Sequence, residues 1–130
     1  MSTAPRLTAD ELRQLPSPAA TPADCACQEL KAPGWESITG PIKAPLLKQL
    51  GTLRDPDELE PTVVEFHRDG SRYESAHAPI APAWFPYNRC EVWACVMCGR
   101  GFLQYTEFGG YYVDHRLREM DPALVVTGQP

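Results

Sequence analysis

Two pairs of cysteines have the residue type and spacing best suited to binding a metal ion. Cys95 and Cys98 are separated by two residues, which lets the chain fold over so that both sulfurs point at one ion, and Gly99 follows them. Cys25 and Cys27 are separated by one residue, a spacing that can also place two sulfurs on one ion where the local chain is irregular. We therefore predict one metal site with four ligands. These are Cys25, Cys27, Cys95 and Cys98.

The segment Cys95-Val96-Met97-Cys98-Gly99 lies between two predicted strands and resembles the cysteine knuckle of zinc ribbons and rubredoxin-type sites. In such a knuckle the glycine tolerates a positive φ, so that backbone N–H groups point at the thiolates. The resemblance covers this segment alone and implies a structural zinc ion. The chain departs from a standard ribbon because no second C-x-x-C follows Cys98, so the other two ligands are sought at Cys25 and Cys27. Arg100 would add positive charge beside the negative sulfurs.

Two other residues are reserve ligands, and two other interpretations of the cysteines stay open. Cys90 has the opposite strand parity to Cys95, so in a regular strand their side chains point to opposite faces. His115, on a later predicted strand, could replace one cysteine. Free buried thiols would explain Cys90 better than they explain the paired spacing. A redox pair at Cys95 and Cys98 is the other alternative, although the thioredoxin type begins a helix and here a strand follows.

A second group of reactive residue types lies on a predicted hairpin with its turn at Asp69-Gly70. A two-residue turn there places Glu65 opposite Glu74 and His67 opposite Arg72. Two facing carboxylates beside a histidine could hold a metal ion or act in acid–base catalysis. The alternative, which we favour, is a solvated strand face on which the basic side chains compensate the acidic ones.

Composition limits the class of protein. A chain of 130 residues is expected to form one domain and is large enough to bury a core without a covalent staple. The net charge of −5 is spread over both halves, which argues against a nucleic-acid partner. The sequence shows no signal-peptide pattern and no apolar run of membrane-spanning length, so we expect a cytoplasmic protein without a membrane partner. Thiols stay reduced there, and five cysteines are then not a disulfide framework.

The N-terminal part is predicted to form two short helices joined by proline-rich loops. A capping-box pattern at Thr8 and Glu11 predicts a helix over 8–15. The leucine spacing around Leu50 predicts a second helix over 44–50. Fourteen prolines leave little room for longer helices.

Residues 62–130 are predicted to form an antiparallel meander of about five strands, because apolar and polar residues alternate there. The strands are expected at 63–68, 71–75, 91–97, 102–108 and 111–118. The predicted fold class is α+β, a single domain over residues 1–130. In it, the helices and loops of residues 1–61 pack on the sheet beside a cysteine-rich metal site.

Two functions from different classes fit these features. The first is a small cytoplasmic zinc-binding module, without enzymatic activity, that binds a protein partner through Tyr112, Arg116 and Arg118 on the polar face of the last strand. Four cysteine ligands favour this function because they close the coordination shell and leave no position for water. The second is a small metal-dependent enzyme that uses the metal or the carboxylate–histidine group of the hairpin.

Overall fold

The computed structural model describes residues 5–30, 32, 34–38, 46–58, 60–66, 76–108 and 111–127. The strands of its sheet are β1 (Glu36–Ile38), β2 (Leu47–Thr52), β3 (Glu91–Cys95), β4 (Gly101–Phe108) and β5 (Val113–Glu119). All neighbouring strands are antiparallel, and their spatial order is β1-β5-β4-β3-β2. Strands β3, β4 and β5 follow one another as a meander, which confirms this part of the predicted pattern.

The helix α1 (Ala9–Arg13) forms where the capping-box pattern predicts it. The Thr8 hydroxyl accepts a hydrogen bond from the Glu11 N–H at 3.2 Å, and the Glu11 carboxylate accepts one from the Thr8 N–H at 3.0 Å. Leu12 is the buried residue of this helix and anchors it to the sheet. None of the helices in the described ranges has the length and apolar character that a membrane span requires.

The helix predicted over 44–50 is wrong for residues 47–50, because they belong to strand β2. β2 pairs with β3, and the register of this pair shifts between Gln49 and Gly51. The leucines on the two sides of the shift therefore pack in different hydrophobic clusters, Leu47 in one with Phe102 and Leu53 in another with Leu103. The leucine spacing that imitates a helix belongs to an irregular strand, whose shape is set by pairing with β3.

The origin of the strands also differs from the prediction. Strands β1 and β2 come from residues before 62 and form the two edges of the sheet. In the predicted hairpin, residues 67–75 lie outside the described residues. Residues 63–66 are described, and they contain no strand of this sheet, although Glu65 forms an isolated parallel bridge with Phe85.

Each face of the sheet carries a hydrophobic cluster. The larger cluster, called the main core, contains Leu12, Trp35, Leu53, Ile80, Tyr87, Cys90, Val92, Leu103, Tyr105, Met120 and Val125. The smaller, called the site cluster, contains Cys27, Ala32, Leu47, Cys95, Phe102 and Leu117. Adjacent residues of β4 separate into the two clusters, with Phe102 in one and Leu103 in the other, because side chains alternate along a strand.

Candidate metal centre

Four cysteine sulfurs converge at one end of the sheet, beside the site cluster. Cys25 Sγ lies 3.6 Å from Cys95 Sγ, and Cys27 Sγ lies 3.5 Å from Cys98 Sγ. The sulfurs of Cys25 and Cys27 are 3.5 Å apart, and all four lie within 4.8 Å of one another. Cys27 and Cys95 are buried, whereas Cys25 and Cys98 are half-buried. Four thiols in this arrangement could hold one metal ion.

The sulfurs come from two segments that lie 70 residues apart in the chain. Cys27 belongs to the 3-10 turn Ala26–Glu29, and Cys25 immediately precedes it. This tight, irregular turn brings both sulfurs of the C-x-C pair to one side. Cys95 is the last residue of β3, and Cys98 lies in the turn that leads to β4. The fold thus brings together all four residues that the sequence predicts as ligands.

Backbone hydrogen bonds around Cys95 shape the turn between β3 and β4. The Cys95 carbonyl accepts from the Gly99 N–H at 3.0 Å, and the Cys95 N–H donates to the Arg100 carbonyl at 2.9 Å. The Met97 N–H donates to Cys95 Sγ at 3.4 Å. Gly99 has a φ of 82°, in the left-handed region that favours glycine. The turn therefore supplies a backbone donor to one sulfur and depends on glycine for its shape.

Gly99→Ala is expected to destabilise the protein by about 1–2 kcal/mol, because a Cβ is unfavourable in the left-handed region. The nearest atom to a Cβ at this position is Pro16 Cγ at 3.5 Å, so the effect comes from the backbone and not from a clash. Urea unfolding measures the change in free energy. Gly99→Asn is the matched control, since asparagine tolerates this conformation better. An alanine variant no less stable than the asparagine variant would contradict the prediction.

Arg100 is buried, and its guanidinium hydrogen-bonds to the turn that carries Cys27. Its Nη1 donates to the Cys27 carbonyl at 3.0 Å, and its Nη2 pairs with the Glu119 carboxylate. The guanidinium carbon lies 4.8 Å from the centre of the Phe102 ring. The sequence predicts the positive charge here but not the two residues that position it. Glu119 and Phe102 lie opposite each other on β5 and β4. Side chains alternate along a strand, so Glu119 shares a face with Leu117, and the pairing of β3 with β4 places Phe102 on the face of Cys95. This alternation was the signal in the sequence that could have placed them there.

Burial and hydrogen bonding give the thiols different affinities for protons. Burial, helped by hydrogen bonds with Cys98 and Cys25, raises the pKa of Cys27 to about 12. Burial also opposes ionisation of Cys95, but hydrogen bonds from the backbone of Cys98 and Met97 outweigh it and lower the pKa of Cys95 to about 7. Burial is the main cause that raises the pKa of Cys98. Binding of a metal ion to all four sulfurs would displace protons from Cys27 and Cys98, so the affinity would fall as the pH falls.

The reserve ligands lie outside this group. Cys90 is buried in the main core, where its Sγ donates to the Pro86 carbonyl at 3.4 Å. His115 Nδ1 lies 3.1 Å from Thr106 Oγ1. Among the described residues, the group that could hold a metal ion contains neither Cys90 nor His115.

Cys90→Ala is expected to leave the metal content unchanged and to destabilise the protein by about 1 kcal/mol through lost packing. The physical reason is that Cys90 lies in the main core, whereas Cys95 belongs to the site cluster. Elemental analysis and urea unfolding of the same sample measure both effects. Loss of stoichiometric metal in this variant would mean that Cys90 is a ligand.

The predicted partner surface on β5 needs correction, because Arg118 has no exposed surface. Its guanidinium donates to the Ala78 carbonyl at 2.7 Å and to the Tyr87 hydroxyl, inside the protein. Arg116 is half-buried and ion-paired. Tyr112 is exposed. Arg118 thus donates hydrogen bonds to acceptors inside the protein. The alternation of polar and apolar residues in the sequence does not distinguish such a buried arginine from an exposed one.

The carboxylate–histidine group of the predicted hairpin is described only in part. His67 and Glu74 lie outside the described residues, and Glu65 is half-buried at its bridge with Phe85.

Known proteins give no independent identification. No protein-family model, curated protein or solved structure matches this chain. The sulfur geometry and the chemistry of thiolate ligands are what indicate a candidate metal centre.

Proposed function

We propose that this protein is a small zinc-binding module in which Cys25, Cys27, Cys95 and Cys98 hold one structural zinc ion. The observation that carries the proposal is the convergence of four sulfurs from two distant segments within 4.8 Å of one another. The resemblance of the C-x-x-C-G segment to a zinc-ribbon knuckle supports the same metal. Bound zinc would join the N-terminal segment to the end of the sheet.

The sulfur separations support tetrahedral coordination by one ion. With zinc–sulfur bonds of about 2.3 Å, the sulfurs at the corners of a regular tetrahedron lie about 3.8 Å apart. The shortest separations here are 3.5 and 3.6 Å, so small side-chain movements would suffice for binding. An all-thiolate tetrahedral set selects zinc or iron over hard cations such as magnesium. We assign zinc to the site. The elemental analysis that tests the assignment measures iron as well.

A structural role fits the site better than a catalytic one. Four protein ligands complete the coordination shell of zinc, whereas catalytic zinc keeps a position for water or substrate. The burial of Cys27 and Cys95 also restricts the approach of a substrate. The chemistry supplied by the bound ion would therefore be crosslinking of the chain.

The module is proposed to act in the cytoplasm by binding another protein. Tyr111, Tyr112 and Val113 are exposed together at the start of β5 and offer an apolar, aromatic surface. Tyrosine is enriched at protein interfaces because it combines a large apolar ring with a hydroxyl group. The net charge of −5 disfavours a nucleic-acid partner.

Elemental analysis of protein purified without chelator tests the proposal. We expect one zinc ion per chain. Replacement of zinc by cobalt should give the visible absorption of a tetrahedral thiolate complex, which distinguishes four sulfur ligands from three with a bound water. A metal content near zero, with all five thiols titrating freely under native conditions, would refute the proposal.

A further inference from the structure

The sulfur contacts of the candidate metal centre join the N-terminal segment to the sheet in two separate places. One contact joins Cys25 to Cys95 at 3.6 Å, and the other joins Cys27 to Cys98 at 3.5 Å. Each sulfur is used once in this arrangement, and both contacts cross between the segments. The remaining short contact, between Cys25 and Cys27 at 3.5 Å, lies within one segment.

Disulfide geometry distinguishes between these contacts. A disulfide between cysteines separated by a single residue closes a small ring that resists the preferred dihedral angle near 90°. Any complete oxidation that joins Cys95 to Cys98 would also have to join Cys25 to Cys27. Pairs that cross between the segments close long loops and are free of this constraint.

We infer that oxidation converts the four-thiol site into two disulfides, Cys25–Cys95 and Cys27–Cys98, so that a covalent crosslink replaces the metal crosslink. The inference rests on the proposed function, since it gives that site a response to oxidants. It differs from a redox pair at Cys95 and Cys98, which would form no covalent link between the N-terminal segment and the sheet. Here a crosslink between the two segments persists when the metal ion is released.

Hydrogen peroxide is a sufficient oxidant for each disulfide. One thiolate attacks a peroxide oxygen, the O–O bond breaks, and a sulfenic acid and hydroxide form. The partner thiolate then attacks the sulfenic sulfur, the S–S bond forms, and a second hydroxide leaves. The two sulfurs lose two electrons and reduce one peroxide, which takes two protons from solvent and yields two waters. Sulfurs joined in a disulfide no longer bind the ion as thiolates, and zinc leaves.

Disulfide mapping of the full wild-type chain tests the inference. Trypsin leaves Cys25 and Cys27 on one peptide, which ends at Lys31, and leaves Cys95 and Cys98 on another, which ends at Arg100. After treatment with hydrogen peroxide and alkylation of the remaining thiols, we expect these two peptides to be linked. Fragmentation of the linked pair should assign Cys25–Cys95 and Cys27–Cys98.

Three outcomes would overturn the inference. The first is unlinked peptides with disulfides inside each segment. The second is the opposite pairing between the segments, Cys25–Cys98 with Cys27–Cys95. The third is formation of sulfinic acids without disulfides. Hydrogen exchange gives a second measurement, because the 3-10 turn Ala26–Glu29 should stay as protected in the oxidised protein as in the metal-loaded protein. Chelated, reduced protein is the control and should exchange faster there.

The same samples separate this inference from the proposed function. Both protein as purified and protein treated with chelator are oxidised, and zinc is measured before oxidation. Absence of zinc would refute the proposed function while the disulfide pairs are still mapped. Unlinked peptides from zinc-loaded protein would refute the pairing and leave the proposed function intact.

Discussion

Cys27→Ser is expected to lower the zinc content from one ion per chain to a small fraction of that value. Serine cannot supply the thiolate that a tetrahedral sulfur site needs, and Cys27 is buried, so no water-exposed ligand can easily take its place. A bound ion would close a loop between residues 70 positions apart, and loss of such a closure costs roughly 4 kcal/mol in the loop-entropy model. Elemental analysis measures the metal, and urea unfolding measures the free energy.

The Cys27→Ser substitution should loosen the N-terminal segment before it unfolds the sheet. Hydrogen exchange is expected to rise first in residues 5–30, while β3, β4 and β5 keep part of their protection. Chelation of the wild-type protein should give the same pattern, and Cys90→Ala is the matched control because it removes a buried thiol from the main core. Unchanged protection across residues 5–30 after verified loss of metal would show that side-chain packing alone holds the N-terminal segment.

Phe102→Ala is expected to destabilise the protein by about 3–5 kcal/mol, the usual range for removal of a buried aromatic side chain. Phe102 has no exposed surface, belongs to the cluster that contains Cys27 and Cys95, and lies under the Arg100 guanidinium. The variant should also bind zinc more weakly, because Arg100 hydrogen-bonds to the Cys27 carbonyl and would lose its packing partner.

Phe102→Leu is the control for the packing prediction. Leucine keeps most of the apolar volume and should restore much of the lost stability. Urea unfolding in excess zinc separates the packing contribution from metal loss, and a competition titration with a chelator measures zinc affinity. A loss of stability below about 1 kcal/mol for the alanine variant would contradict the prediction, since such values are typical of surface positions.

The spacing within each cysteine pair is a local feature, so the sequence could nominate Cys25, Cys27, Cys95 and Cys98, whereas the meeting of the two pairs depends on the fold. The two residues between Cys95 and Cys98, and the glycine after them, specify a turn without reference to the rest of the chain. The helix α1 was predictable for the same reason, since its capping box joins residues three positions apart. Cys90 was separated from the group by strand parity, which is also local.

The other features depend on residues that are distant in sequence. The leucine spacing of β2 is typical of a helix, but pairing with the edge of β3 makes the segment a strand. The sequence suggests that Arg118 is a surface residue, but the Ala78 carbonyl and the Tyr87 hydroxyl accept its hydrogen bonds inside the protein. Glu119 joins the site only because β5 lies next to β4. Tertiary contacts decided these features, and single-sequence periodicity does not contain them.

The position of β1 and β2 at the two edges of the sheet has a consequence for synthesis on the ribosome. Both edge strands leave the ribosome before the strands they pair with, and β1 must wait for β5 near the other end of the chain. Cys25 and Cys27 likewise emerge long before Cys95 and Cys98 can join them. Folding therefore depends on contacts between distant residues, a topology that slows the reaction and prolongs the exposure of unpaired edges. A nascent chain interrupted before residue 91 would carry two of the four cysteines and would lack the partners of both β1 and β2, and protection of such chains would fall to the cell's chaperones.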